Sequence, residues 1–119
     1  MPEERFTVEH RPSESRYVLL DREAGQGSAA IGEESYLDYT AEDGAQRIMY
    51  HTEVSEQYGG LGLASALVRA AVEGTIADGR NIVPVCPYVA AWLPKHPEYA
   101  AHVVPKTTAH IEALRAKQG

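Results

Sequence analysis

The sequence predicts a mixed α/β (α+β) fold, in which helices pack on a central, mostly antiparallel sheet. Three observations support this prediction. The first half of the 119-residue chain alternates short apolar runs with turn-forming residues, as antiparallel strands do. A helical apolar period then follows a cluster of glycines. Another short apolar run follows that helix, which is long enough for a right-handed crossover to a parallel strand.

Four strands are predicted before the glycines. They cover approximately residues 6–9, 16–20, 28–39 and 46–54. Proline, serine, glycine and aspartate occupy the intervening turns, at Arg11–Ser15, Gly25–Gly27 and Asp43-Gly44. Within the third strand, Gly32 is a candidate bulge.

The fourth strand can be divided into two faces by simple alternation of its side chains. Alternation places one set on one face of the sheet and the remaining set on the other. The two sets are Ile48, Tyr50, Thr52 and Val54, against Met49, His51 and Glu53.

A helix of about Leu61 to Ala77 is predicted after the glycines, because apolar residues recur there at steps of three and four. Ser65, Arg69 and Glu73 fall on the opposite side, which is expected to face solvent. Asp78-Gly79 supplies a helix stop.

Three further elements are predicted after that helix. They are a fifth strand over residues 81–85, a short helix over 88–93 and a helical tail over 107–117. Pro84 cannot donate a ladder hydrogen bond, so the fifth strand is expected at a sheet edge or beside a splay. A splay between the fourth and fifth strands, next to the glycines, would leave a slot for a ligand.

Composition sets limits on the class of protein. The length predicts one domain over residues 1–119. A net charge of −6 argues against nucleic-acid or anionic-membrane partners. The charged N-terminus does not resemble a signal peptide, and one cysteine fits a reducing compartment. The expected protein is therefore cytoplasmic, and a monomer or a weak dimer.

The glycine cluster Gly59-Gly60-Leu61-Gly62 predicts an anion site, because glycines at a strand-to-helix junction let backbone N–H groups converge. A P-loop would need a lysine after the glycines, and none is present. A dinucleotide fingerprint fails at its last position, where Ser65 replaces glycine.

The loop resembles the Gln/Arg-x-x-Gly-x-Gly/Ala motif of the GNAT acetyltransferases, through Gln57, Gly60 and Gly62. The similarity extends to flanking segments and covers about Phe6 to Tyr99. These segments are His51-Thr52-Glu53-Val54, Val85-Cys86-Pro87-Tyr88-Val89, Trp92 and His96-Pro97-Glu98-Tyr99. The chain resembles the short, single-domain members of that superfamily, which implies an acetyl-CoA-dependent N-acetyltransferase.

The resemblance also implies which residues hold coenzyme A. Backbone groups of Thr52, Glu53 and Val54 would pair with the pantetheine amides. Backbone N–H groups of the loop, with Gln57 as part of its motif, would receive the pyrophosphate. The N–H donors are those of Tyr58, Gly59, Gly60, Leu61, Gly62 and Leu63. Larger GNAT enzymes carry a helical pair between the first two strands that helps to build the acceptor site, and this chain lacks it. The amine acceptor, a small molecule or a protein, is therefore left open.

Two residues are predicted to act in catalysis. Cys86 follows the fifth strand and could carry the acetyl group as a thiolate or simply pack beside the thioester. Tyr88 could protonate the departing CoA thiolate, or be a packing aromatic.

No carboxylate in residues 46–50 marks a general base. His51 and Glu53 could relay a proton, but a surface pair is the simpler interpretation. The histidine spacing does not match a metal site, so no metal is expected. A non-catalytic acyl-CoA-binding sensor is the main alternative, and a thiol-dependent protein with structural glycines is the other.

Overall fold

A computed structural model describes residues 5–23 and 29–118. The turn predicted at Gly25–Gly27, and Ser28 at the start of the third strand, lie outside these residues. The described part contains five strands, β1 (Phe6–Arg11), β2 (Arg16–Asp21), β3 (Ala29–Ala41), β4 (Gly44–Val54) and β5 (Asn81–Pro84). Its α-helices are α1 (Leu63–Ala77), α2 (Pro87–Trp92) and α3 (Thr108–Gln118). Short 3-10 turns cover residues 12–14, 56–58, 93–95 and 97–102.

The five strands form one sheet in the order β1-β2-β3-β4-β5. The first four pair antiparallel, and β5 joins β4 in parallel through the α1 crossover. The predicted mixed, mostly antiparallel sheet is confirmed. One face of the sheet packs against α1 through a large apolar cluster that includes Leu67 and Met49. The other face carries a smaller cluster with Leu114 of α3. A helix therefore lies on each side of β4, the strand that leads to the glycines.

The splay between β4 and β5 is present and has a simple backbone cause. Pairing between the two strands ends at Met49 and Pro84. The N–H groups of Val85 and Cys86 then both donate to the Met49 carbonyl, at 3.0 and 2.9 Å. Because α2 begins at Pro87, the chain turns away while β4 continues to Val54. β5 is also the edge strand of the sheet, as Pro84 predicted.

The predicted division of β4 into two faces is wrong, because the strand contains a bulge. Ser35 pairs with His51 and Tyr36 pairs with Met49, so Tyr50 has no partner of its own on β3. Alternation therefore shifts by one residue. Met49 and Val54 pack into the α1-side cluster, while Tyr50 packs on the α3 side. Thr52, which alternation had grouped with Tyr50, instead contacts Cys86 of the α1-side cluster.

The bulge expected at Gly32 is confirmed in the pairing of β2 with β3. Leu19 pairs with Gly32 and Leu20 pairs with Ala30, so the intervening residue of β3 is left without a partner on β2.

Helix α1 differs from its prediction at one end and on one face. It begins at Leu63 rather than Leu61. The face that was expected to be exposed contacts the segment after β5. Trp92 Nε1 donates to Ser65 Oγ at 2.8 Å, and Arg69 donates to the Tyr99 hydroxyl at 3.0 Å. Among the described residues, no helix combines the length and the apolar composition needed to cross a membrane.

Candidate functional site

Two glycines of the loop have a backbone conformation that residues with a side chain rarely adopt. Gly60 and Gly62 have φ angles of +83° and +73°, in the left-handed region. A Cβ atom added at either position would have no other atom within 4 Å, so the space above both glycines is open. Gly62 is the N-cap of α1, and its left-handed conformation explains why the helix starts two residues later than predicted.

The available backbone donors are fewer than the resemblance implied. The N–H groups of Tyr58 and Gly59 already donate to Ser55 and Glu56 carbonyls, at 3.0 and 3.1 Å. Hydrogen bonding of α1 begins when Ala66 N–H donates to the Gly62 carbonyl. No side-chain hydrogen bond caps the N-terminus of α1 among the described residues. The N–H groups that remain for an anion are therefore those between Gly60 and Ser65.

A pocket of about 170 Å³ lies beside this loop. Its walls include the loop backbone, Val54 at the end of β4, and Leu63 at the start of α1. Tyr88, which is 39% exposed, reaches the same pocket from α2. Burial raises the pKa of the Tyr88 hydroxyl. The predicted loop residues and Tyr88 thus share a pocket, although the side chains of Gln57 and Leu61 are exposed and do not line it.

Tyr58 anchors the loop to the sheet. Its hydroxyl donates to Asp21 Oδ2 at 2.6 Å, and its ring meets Phe6 edge-on at 5.9 Å. Asp21 also receives two hydrogen bonds from Arg5, at 2.9 and 3.1 Å. Arg5 and Tyr58 together hold the pKa of the Asp21 carboxyl well below its usual range. The side chain of Tyr58 therefore positions the loop, while its backbone N–H is already engaged.

Cys86 is not among the residues that line this pocket, and it is 5% exposed. Its Sγ atom is 3.2 Å from Thr52 Oγ1. Thr52 Oγ1 also donates to Glu34 Oε1. A chain of three polar side chains consequently runs from β3 across β4 to the end of β5. Val54, in the pocket wall, is two residues from Thr52, roughly 7 Å along the strand.

Glu34 is a buried carboxyl beside the candidate site that the sequence did not reveal. It is fully buried, and its Oε2 atom has no hydrogen-bond partner among the described residues. Burial raises the pKa of the Glu34 carboxyl to about 8, with a smaller upward contribution from Glu33. Hydrogen bonds from Thr52 and from the backbone of His51 act in the opposite direction. Alternation places Glu34 on the same face of β3 as Tyr36, two residues later, but does not say which face is buried.

His51 and Glu53 form a surface pair, as the simpler interpretation predicted. His51 Nε2 lies 3.1 Å from Glu53 Oε1, and both side chains are more than half exposed. Ligand atoms of Glu33, His51 and Glu53 lie within 4.8 Å of one another and could hold a cation. Glu33 already pairs with Arg16 at 2.6 Å. The expectation of no metal stays a prediction.

Comparison with known proteins places this geometry in a family. The profile of the GCN5-related N-acetyl-transferase family matches residues 20–103. No curated protein matches the chain in sequence. The solution structure of a GCN5-like candidate N-acetyltransferase from Staphylococcus aureus is similar, with 21% identity and a TM-score of 0.60. That similarity covers 91% of this chain and 97% of the other.

Two larger structures are more distantly similar. One is an aminoglycoside acetyltransferase from an uncultured soil metagenomic sample, with 16% identity and a TM-score of 0.47 over 87% of this chain and 57% of that one. The other is an acetyltransferase from Trypanosoma brucei, with 15% identity and a TM-score of 0.46 over 92% of this chain and 64% of that one. The family match spans well over half of the sequence, from β2 to the segment after α2, and includes the glycine loop. The chain therefore belongs to the GCN5-related N-acetyltransferase family.

Proposed function

We propose that this protein binds acetyl-CoA and transfers the acetyl group to an amine. The observation that carries the proposal is the loop at Gly60–Gly62, where open space above two left-handed glycines lies at an uncapped helix start. An anion can approach backbone N–H groups there without meeting a side chain.

The unpaired end of β4 supports the same cofactor. Residues 52–54 pair with β3 on one side, and their other edge has no β5 partner. Free N–H and C=O groups of a strand edge suit an extended ligand with amides of its own. Pantetheine is such a ligand. The unpaired edge of β4 leads directly into the glycine loop, so one molecule could occupy both sites in sequence.

The charge around the loop favours a geometric mode of binding. Glu53 and Glu56 are exposed nearby, and Arg69 is engaged by Tyr99 and by Glu98 at 3.6 Å. A bound diphosphate would depend on backbone N–H groups and on the dipole of α1, each term modest and reduced by salt. Bound acetyl-CoA would supply an activated acyl thioester. Tyr88 lines the pocket beside the loop, and we assign its hydroxyl the role of protonating the departing thiolate.

The first test is binding. Acetyl-CoA at a hundredfold excess over its Kd should raise the free energy of unfolding by about 2.7 kcal/mol, measured by chemical denaturation. Turnover is then followed with a panel of small amines and amine-bearing peptides. Absence of any stabilisation at millimolar acetyl-CoA would contradict the proposal. Tight binding without transfer to any amine would favour an acyl-CoA-binding sensor instead.

A matched pair of variants tests the location. Gly60→Asn and Gly60→Asp have similar shapes and both tolerate a positive φ, but only the second adds a negative charge. The aspartate variant should bind acetyl-CoA at least about tenfold more weakly than the asparagine variant, because a like charge would face the diphosphate. Equal affinities would show that no anion binds at this loop. Circular dichroism of both variants checks that they are folded.

A further inference from the structure

The buried carboxyl of Glu34 is not explained by packing alone. Its side chain is fully buried, and one oxygen lacks a partner among the described residues. Buried glutamates are rare unless they are paired, because removing the group from water is costly. Its oxygen Oε1 accepts the Thr52 hydroxyl, which in turn lies 3.2 Å from Cys86 Sγ. Glu34, whose burial costs stability, is therefore linked through the Thr52 hydroxyl to Cys86, the only cysteine of the sequence.

We propose that Glu34, acting through Thr52 Oγ1, accepts the proton of the Cys86 thiol when that thiol attacks an acyl thioester. The proposal rests on the proposed function, which supplies the thioester. Glu34 and Thr52 are then positioning residues for Cys86, which is the nucleophile.

The step balances as an exchange of one thioester for another. Cys86 Sγ forms a bond to the acyl carbon, and the bond between that carbon and the donor sulfur breaks. The thiol proton moves to Thr52 Oγ1 while the Thr52 hydroxyl proton moves to Glu34 Oε1. The donor leaves as a thiolate and takes a proton from the Tyr88 hydroxyl, which regains one from water.

The geometry supports this direction of proton transfer. The Thr52 hydroxyl donates to Glu34, so its oxygen is free to accept from the thiol. Glu34 lies opposite Thr52 on β4 and opposite Tyr17 on β2. Glu33 is the other carboxylate that affects Glu34, and it lies on the opposite face of the sheet. Only the ionised form of Glu34 can accept the proton, and with a pKa of about 8 roughly a tenth of the carboxyl is ionised at pH 7 and half at pH 8.

The test measures the rate at which Cys86 reacts with each of two reagents between pH 6 and pH 10, followed by mass spectrometry. Iodoacetamide reports thiol reactivity without any need for a CoA site, and acetyl-CoA reports acyl transfer to Cys86. At pH 7 Glu34→Gln should slow both reactions about tenfold or more, because general-base help of this kind is typically larger than that. Near pH 10 hydroxide ionises the thiol directly, so the rates of parent and variant should converge to within about twofold.

Variants at Thr52 and Glu33 separate the relay from a structural effect. Thr52→Val keeps the shape of the side chain and removes the hydroxyl, so it should slow the reactions of Cys86 as much as Glu34→Gln does. Thr52→Ser restores a hydroxyl and should recover most of the lost rate. Glu33→Gln removes the neighbouring carboxylate but leaves the relay in place. It should not slow Cys86 at pH 7, and it should move the pH profile slightly downward because Glu33 raises the pKa of Glu34. If Glu34→Gln slows Cys86 by the same factor at pH 7 and at pH 10, Glu34 has a structural role only.

Failure of this proposal can be told apart from failure of the proposed function. If the rate of reaction with iodoacetamide depends on Glu34 but the protein does not bind acetyl-CoA, the relay stands and the cofactor is rejected. Acetyl-CoA binding with a Cys86 profile unaffected by Glu34→Gln would reject the relay alone. A Cys86 that reacts with neither reagent in the folded parent protein up to pH 10 would overturn the relay.

Discussion

At the scale of single residues, Glu34 links the stability of the protein to pH. Its pKa rises from the ordinary value of 4.5 to about 8 on burial. The folded state therefore keeps a proton that the unfolded state releases above pH 4.5. The stability that this proton provides is fully present below pH 4.5 and is lost progressively as the pH rises to about 8.

The difference between Glu34→Gln and the parent should consequently change with pH. Glutamine cannot ionise. The free energy of unfolding of the variant, relative to that of the parent, should therefore rise by roughly 3 kcal/mol between pH 5 and pH 8. Urea denaturation at these two pH values measures this change. Comparison with the parent cancels other titrating groups, such as His10 and His110, whose pKa values are lowered by burial. A difference that stays constant with pH would mean that Glu34 is ionised in the folded protein.

The residue scale also shows where sequence reasoning stopped. Glu33 and Glu34 are adjacent and chemically identical, and alternation assigns them to opposite faces of β3 without saying which face is buried. Glu33 pairs with Arg16 at the surface, whereas Glu34 is enclosed between β2, β4 and the end of β5. Cys86 and Tyr88 were found because they follow β5 in sequence. Glu34 could not be found in this way, because its contacts with Thr52 and Cys86 depend on strand register.

At the scale of elements, α1 offers a matched pair of glycines. Gly62 begins the helix at φ +73° and Gly79 follows it at φ +74°, and an added Cβ would meet no atom within 4 Å at either position. An alanine at either site should cost about 1 kcal/mol of stability, because the left-handed region is strained for residues with a Cβ. Only Gly62→Ala should also weaken acetyl-CoA binding, since it adds a methyl group where the anion would approach.

Denaturation and calorimetric titration of the two variants check this pair. Equal losses of stability with an affinity change at Gly62 alone are expected. Weaker binding in both variants would mean that the ligand senses the general stability of α1 rather than the geometry of its N-terminus.

Element existence was predicted well, while the orientation of β4 was not. Periodicity and turn residues are local signals, and they predicted the strands and α1 to within a few residues. The bulge at Tyr50 is different, because neither a glycine nor a proline marks it in the sequence. It arises from the pairing of β3 with β4, where Ser35 meets His51 and Tyr36 meets Met49. That bulge brings Thr52 to the face where Cys86 lies, so the candidate site depends on a feature that local patterns do not encode.

At the scale of the whole molecule, one end of β4 borders the candidate site and the other end is held by a charge network. The end near Val54 opens into the pocket, where pairing to β5 has stopped. The other end holds a buried charge network around Arg47, which is 4% exposed. Arg47 donates to Asp38 at 2.7 and 3.2 Å, to Asp78 at 3.0 Å and to the Tyr17 hydroxyl at 2.7 Å. This network ties β2, β3 and β4 to the C-terminal end of α1.

Arg47→Met should therefore lower stability without affecting the site. Removing one partner of a buried ion pair is typically costly, and here Asp38 and Asp78 stay partly exposed, so the expected loss is about 3 kcal/mol, at the low end of the usual range. Arg47→Lys should lose less, because it keeps the charge but not the paired hydrogen bonds. Both variants should bind acetyl-CoA with the parent Kd, since Arg47 lies roughly 15 Å along β4 from Thr52. Denaturation and titration of the two variants measure these quantities, and a Kd that weakens in step with stability would show that the charge network and the ligand slot act as one unit.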